Sequence, residues 1–132
     1  MATIFSKIIN REIPAYIIAE SDDFIAFLDV YPLAKGHTLV VPKKEIDYIF
    51  DMNDKLFADF NVFAKKISIA IKKAIICKRI GTAVIGLEVP HAHIHLIPIN
   101  NVEDINFARP KLDLSREEFE EIAENIRKEI KL

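Results

Sequence analysis

Cysteine and glycine are scarce in this sequence of 132 residues, which contains one cysteine and three glycines. Because Cys77 stands alone, the chain can form no intrachain disulfide and has no cysteine pair of the kind that binds a metal. A lone cysteine fits a reducing compartment. The sequence therefore argues against a disulfide-stabilised secreted scaffold.

Long apolar runs and a surplus of one charge are also missing. No apolar run approaches the roughly 18 residues that a membrane-spanning helix needs, and the N-terminus lacks the basic-then-apolar pattern of a signal peptide. The net charge is −2, and the lysines and arginines are scattered rather than aligned in a basic stripe. We therefore expect a cytoplasmic protein whose partners are neither membranes nor nucleic acids.

Hydrophobic residues make up 51% of the chain, which is enough for one compact domain with its own core. Their spacing predicts strands and helices together. A period of two, or a short continuous apolar run, predicts strands, and steps of three or four predict helices. The predicted strands are 15–19, 24–29, 36–42, 82–85 and 91–97, and the predicted helices are 7–11, a long one from 53 or 54 to 74, and one beginning at Ser115 with a capping box to Glu118.

Three of the four histidines, His91, His93 and His95, occupy alternate positions between Pro90 and Pro98. In a strand, alternate side chains point to the same face, so the pattern predicts three imidazoles on one face. Such a row adds little to a hydrophobic core, and charged imidazoles repel one another. A functional role is therefore favoured over a structural one.

Zinc binding is one function that this pattern allows. His91 and His95 would lie roughly 13 Å apart along a strand, which is too far to share an ion bound at roughly 2.0 to 2.1 Å. A zinc site would need an adjacent histidine pair and an outside ligand such as His37 or Glu88.

Nucleophilic catalysis is the other function. A neutral imidazole can attack phosphorus near pH 7 and form a phospho- or nucleotidyl-histidine. His93 is the expected nucleophile, because a neighbouring imidazole or backbone group can hold one ring nitrogen while the other faces the substrate. His91 and His95 would then donate hydrogen bonds to phosphoryl oxygens.

Four segments resemble the histidine-triad (HIT) family and follow one another in the family's order: 5–14, 27–30, 36–43 and 91–95. The resemblance runs from residue 5 to about residue 98. It implies a HIT-like α+β fold with a five-stranded antiparallel sheet and two main helices, one long and central and one C-terminal. Residues 1–132 would form a single HIT domain with a core at 5–98 and a C-terminal extension with a helix at 99–132.

The resemblance also implies an activity. HIT proteins of this kind are metal-independent nucleotide hydrolases or transferases, usually homodimers, so we expect a purine nucleotide substrate and no required cofactor. The nucleotidylated histidine falls on His93 and the family's upstream histidine on His37. Asp29 would hold the ribose hydroxyls, with Val30 beside it, and the base would lie between apolar walls formed by Phe5, Ile8, Ile13 and Phe27.

The chain departs from the family pattern just before the triad. Familiar branches carry Gly-Gln-x-Val there, whereas this chain has Gly86-Leu87-Glu88-Val89, and an asparagine and several loop residues ahead of the glycine are missing. Gly86, Leu87 and Glu88 are still expected to contact the phosphate or the leaving group. One hypothesis is that Glu88 protonates the leaving group. The other is an outward-facing loop glutamate.

The sequence thus predicts a hydrolase of nucleoside phosphoramidates or adenylyl esters that acts through His93. The alternatives are a dinucleoside polyphosphate hydrolase, a nucleotide-binding module with little turnover, and a histidine-based metal site.

Overall fold

The computed structural model describes residues 3–132 and shows an α+β fold with a five-stranded antiparallel sheet. The elements in chain order are α1 Ile4–Ile9, β1 Ile17–Glu20, β2 Phe24–Leu28, β3 Thr38–Pro42, α2 Asp54–Ala74, β4 Arg79–Ala83, β5 Ile94–Ile99 and α3 Arg116–Arg127. The strand order is β1-β2-β3-β5-β4, and each neighbouring pair is antiparallel. Two short 3₁₀ turns lie at Ile49–Asp51 and Val102–Asp104.

The sheet is buried on both faces in its middle strands. Alternate residues of β2 point to opposite sides, so Phe24, Ala26 and Leu28 pack in the cluster beneath α2 and α3. Ile25 and Phe27 join a smaller cluster with Phe5 and Ile8 of α1. All five residues of β3 are buried, and β3 lies at the centre of the sheet.

The helix boundaries follow local capping signals. Asn53 caps α2 by accepting a hydrogen bond from the backbone N–H of Leu56. At α3 the capping box between Ser115 and Glu118 is formed, as the sequence predicts. The short helix α1 begins at Ile4 rather than at the predicted Lys7, because Thr3 and Ser6 form a capping box that the prediction overlooked.

The predicted strand over 91–97 is wrong at both ends. β5 begins at Ile94, because the backbone N–H of His91 bonds to Val89 and that of Ala92 bonds to Ile46, outside the sheet. His91 and His93 therefore precede the strand, and only His95 lies in it. Nor does Pro98 end the strand.

The position of Pro98 in β5 explains why a proline is tolerated there. It lies beyond the part of β5 that pairs with β3, so its missing N–H breaks no ladder bond to that strand. The strand continues to Ile99 through its pairing with β4, in which Pro98 lies opposite Ile80.

Candidate active site

A cavity of about 530 Å³ opens on the α1 side of the sheet and collects most of the residues that the sequence singles out. This volume falls in the ordinary range for small-molecule sites, roughly 300 to 1,000 Å³. Its lining includes the predicted apolar and loop residues Phe5, Ile8, Ile13, Phe27, Val30, Gly86, Leu87 and Glu88, and the predicted polar residues Asp29, His37, His93 and His95. His91 alone among the predicted site residues is not in the lining.

His93 presents one free ring nitrogen to this cavity. Its Nδ1 lies 2.8 Å from the backbone carbonyl of His91. A carbonyl can only accept, so Nδ1 carries the proton and Nε2 of the neutral ring keeps its lone pair. Burial lowers the pKa of His93 and so favours the neutral ring, while this hydrogen bond and the charge of Glu88 act in the opposite direction. The arrangement is that of an oriented nucleophile.

His91 lies below the cavity and has no ring nitrogen to offer a ligand. Its side chain is fully buried. Nε2 donates to the carbonyl of Pro42 over 2.8 Å, and Nδ1 accepts from the hydroxyl of Thr3 over 3.0 Å. The structure thus differs from the expectation that His91 donates to phosphoryl oxygens. It acts on the site through its backbone carbonyl, which orients His93.

Thr3 links the start of the chain to the triad. Its hydroxyl caps α1 by accepting from the backbone N–H of Ser6 over 3.0 Å, and it also donates to His91. The same helix places Phe5 against the ring of His93, with centroids 4.9 Å apart. The Thr3-x-x-Ser6 spacing is a capping signal visible in the sequence, but its contact with His91, 88 positions away, is not.

His37 and His95 form a buried pair whose proton positions are fixed by the backbone. The N–H of Leu33 donates to Nδ1 of His37 over 3.0 Å, so the proton of His37 must be on Nε2. That Nε2 donates to Nδ1 of His95 over 2.9 Å. The proton of His95 is then on Nε2, which makes His95 a hydrogen-bond donor for a ligand in the cavity.

Both members of this pair are neutral at ordinary pH. Burial, with the charge of His95 as a further cause, lowers the pKa of His37 to about 3. Burial, with the charge of His93 as a further cause, lowers the pKa of His95 to about 4. The pair therefore supplies a directed hydrogen bond rather than a positive charge.

Asp29 lies where β2 ends and is held by the backbone around it. Its Oδ1 accepts from the N–H of Tyr31 over 2.9 Å, and its Oδ2 lies 3.5 Å from Nε2 of His37. Burial raises the pKa of Asp29, while the Tyr31 hydrogen bond and the charge of Lys111 act in the opposite direction. A half-buried carboxylate of this kind is suited to accept hydrogen bonds from ligand hydroxyls.

Asp29, His37 and His95 are also the one group in residues 3–132 with the composition and spacing of a metal site. Their candidate ligand atoms lie within 4.8 Å of one another. The tautomers do not suit a metal, because the N–H of Leu33 forces the proton of His37 onto Nε2, the nitrogen that faces the cluster.

The segment between β5 and α3 contributes two residues that no sequence pattern predicts. The ring of Phe107 packs against that of His95 with centroids 4.7 Å apart, and Lys111 joins the cavity lining. The segment is anchored beside Asp29, since the N–H of Leu112 donates to the carbonyl of Pro32 over 2.8 Å. No periodicity or motif marks these residues, because tertiary contacts alone bring them to the site.

The sequence from residue 10 to residue 102 matches the family model described as HIT domain. An uncharacterised HIT-like protein of Borreliella burgdorferi is 39% identical over 132 residues, covering 93% of this chain and 94% of that protein. The adenosine 5′-monophosphoramidase of Schizosaccharomyces pombe is 34% identical over 134 residues, covering 99% of this chain and all of that protein.

Solved structures resemble the whole chain. A HIT-like protein from Bartonella henselae superposes with a TM-score of 0.83 at 33% identity, covering 97% of this chain and 96% of that one. A zinc-bound histidine triad family protein from Mycobacterium smegmatis also gives a TM-score of 0.83, at 26% identity, covering 98% of this chain and 93% of that one.

Proposed function

Since the chain belongs to the HIT domain family, we propose that it hydrolyses nucleoside phosphoramidates or related adenylyl esters through a covalent nucleotidyl-histidine on His93. Its phosphoramidase relatives support a nucleotide hydrolase at the level of the family. The observation that carries the finer proposal is the free Nε2 of His93, oriented by the 2.8 Å bond from Nδ1 to the carbonyl of His91.

In the first step, Nε2 of His93 attacks the α-phosphorus and the bond from phosphorus to the leaving group breaks. The leaving group departs with the bonding electron pair and takes up a proton. In the second step, water attacks the phosphorus and gives up a proton to solvent, the bond to Nε2 breaks with its electron pair returning to the ring, and the nucleoside monophosphate is released. Nε2–H of His95 would stabilise the charge that develops on the phosphoryl oxygens.

The nucleoside would lie across the apolar part of the cavity. Phe5, Ile8, Ile13 and Phe27 line it and offer flat and branched surfaces to a purine base. Asp29, with Val30 beside it in the lining, would accept hydrogen bonds from the ribose hydroxyls.

Gly86, Leu87 and Glu88 would face the phosphate or the leaving group. All three line the cavity, and the charge of Glu88 acts on His93. We retain the hypothesis that Glu88 protonates the leaving group. Its side chain is exposed, but it lines the cavity and its charge acts on His93, which supports that hypothesis.

We propose that the reaction requires no metal or other cofactor. The fixed proton on Nε2 of His37 opposes metal binding at Asp29, His37 and His95.

We also propose a homodimer formed through the edge strand β4 and the outer face of α2. Val62 and Ile69 of α2 are exposed there, as is Val84 directly after β4. Light scattering should then give twice the chain mass, and a Val62→Lys/Ile69→Lys variant should give the chain mass.

We further propose a cytoplasmic location and a nucleotide, rather than a nucleic acid or a membrane, as the partner. No helix within residues 3–132 combines the length and apolar character that crossing a bilayer needs. Cys77 is a free cysteine, which supports a reducing compartment such as the cytoplasm. The small net charge of −2 supports a nucleotide, rather than a nucleic acid, as the ligand.

The test is steady-state release of AMP from adenosine 5′-phosphoramidate and from diadenosine polyphosphates, with and without a chelator. We expect chelator-insensitive turnover of the phosphoramidate and a loss of roughly a thousandfold or more in the His93→Ala variant. Faster turnover of the diadenosine compounds would favour the dinucleoside polyphosphate hydrolase. Binding of AMP without turnover of either compound would favour a nucleotide-binding module, and loss of activity on chelation would restore the metal hypothesis.

A further inference from the structure

The charges that line the cavity do not suit an anionic ligand unless one cation takes part in binding. The charged residues in the lining are Asp29, Glu88 and Lys111. The histidines are poor substitutes for a cation, because burial lowers the pKa of His37 and of His95. A phosphate group would therefore meet two carboxyl groups and only one permanent positive charge, that of Lys111.

Two backbone carbonyls position the ammonium group of Lys111. Its Nζ donates to the backbone carbonyls of Phe107 over 2.6 Å and of Arg109 over 3.1 Å. An ammonium group has three N–H donors, so these two bonds leave one donor for a ligand. The turn that these bonds close is the one in which Phe107 packs on His95.

The charge of Lys111 reaches the working residues of the site. It acts against the burial that raises the pKa of Asp29, and it adds to the burial that lowers the pKa of His37. The segment that carries it is tied to the loop after β2 by the bond from Leu112 N–H to the Pro32 carbonyl. Lys111 therefore has a defined position in the same lining as Asp29. No other lysine or arginine of residues 3–132 lines the cavity.

We propose that Lys111 is the substrate-binding cation of this site and selects ligands that carry a negative charge, so that the segment 105–112 is part of the active site rather than a linker to α3. This inference rests on the proposed function, because it takes the cavity to be the nucleotide site. It extends that function by naming the residue that distinguishes a nucleotide from an uncharged nucleoside.

The experiment compares the binding of AMP with that of adenosine by calorimetry. Lys111→Gln keeps hydrogen-bond donors for the two carbonyls but removes the charge. Lys111→Arg keeps the charge. Lys128→Gln, on an exposed residue at the end of α3, removes one charge elsewhere and serves as the matched control.

We expect Lys111→Gln to weaken AMP binding about three- to tenfold and to leave adenosine binding within about twofold of wild type, because one partly screened ion pair is lost. Lys111→Arg and Lys128→Gln should bind AMP within about twofold of wild type. Added salt should shrink the difference between wild type and Lys111→Gln.

Equal weakening of both ligands in Lys111→Gln would show that Lys111 merely closes the turn, and unchanged AMP binding would show that it takes no part. Either result overturns the inference while leaving the proposed function intact. A wild-type protein that binds neither AMP nor adenosine would overturn both.

Discussion

The neutral His37–His95 pair makes the stability of the fold depend on pH. Both side chains are buried, with exposed fractions of 1% and 8%. The pKa is about 3 for His37 and about 4 for His95 in the folded protein, against 6.5 for an unperturbed histidine. The unfolded chain therefore binds two protons near pH 5 that the folded chain does not bind.

The sign and size of the effect follow from this difference. Stability rises with pH wherever the unfolded state binds more protons, so the contribution is complete above about pH 6.5 and is lost as pH falls. Between about pH 7 and pH 5 each histidine should cost about 2 kcal/mol, and the pair about 4 kcal/mol. The loss should level off only near the folded pKa values of about 3 and about 4.

The assay is urea unfolding at these two pH values for wild type and for a His37→Gln/His95→Gln variant. The variant should lose about 4 kcal/mol less than wild type on acidification. ¹⁵N chemical shifts provide an independent check, since both rings should stay neutral near pH 5 with their protons on Nε2. Equal pH dependence in the two proteins, or a ring that titrates near 6.5, would refute the reasoning.

Four further predictions concern the site. Thr3→Val removes the donor to His91 and should lower the free energy of unfolding by about 1 to 2 kcal/mol. If His91 positions the nucleophile, kcat should fall by a larger factor than KM changes. An unchanged kcat would contradict that role. The pKa of His93 is lowered by burial, so kcat/KM should fall with decreasing pH through a pKa below 6.5. Glu88→Gln removes a charge that raises the pKa of His93, so the fall in kcat/KM on acidification should occur at still lower pH. A rate that is unchanged at every pH would exclude Glu88 as the acid that protonates the leaving group. Asp29→Asn should abolish the preference for AMP over 2′-deoxy-AMP in binding measurements, and an undiminished preference would show that Asp29 does not hold the ribose.

Local patterns predicted much of the fold. The capping box at Ser115 and the period of α2 depend on residues a few positions apart, so the sequence shows them directly. The start of β5 could not be predicted in this way. It depends on the carbonyl of Ile46, which takes the N–H of Ala92 away from the sheet.

Local motifs also predicted many of the residues that line the cavity, but not the contacts made by residues distant in the chain. The central position of His93 in the triad predicts that it is the nucleophile; this role stays a prediction, and the structure shows a backbone carbonyl that orients the ring. The burial of His91 depends on Thr3, which is far away in the chain. Phe107 and Lys111 reach the cavity through tertiary contacts, which no motif in this segment announces.

The most direct test of the central claim is mass spectrometry of the protein quenched during turnover of adenosine 5′-phosphoramidate, with peptide mapping of any adduct. The account predicts an adenylyl group on His93 that is absent from His93→Ala and retained when His95 is replaced. Rapid turnover with no adduct at any quench time, or an adduct on a different residue, would contradict it.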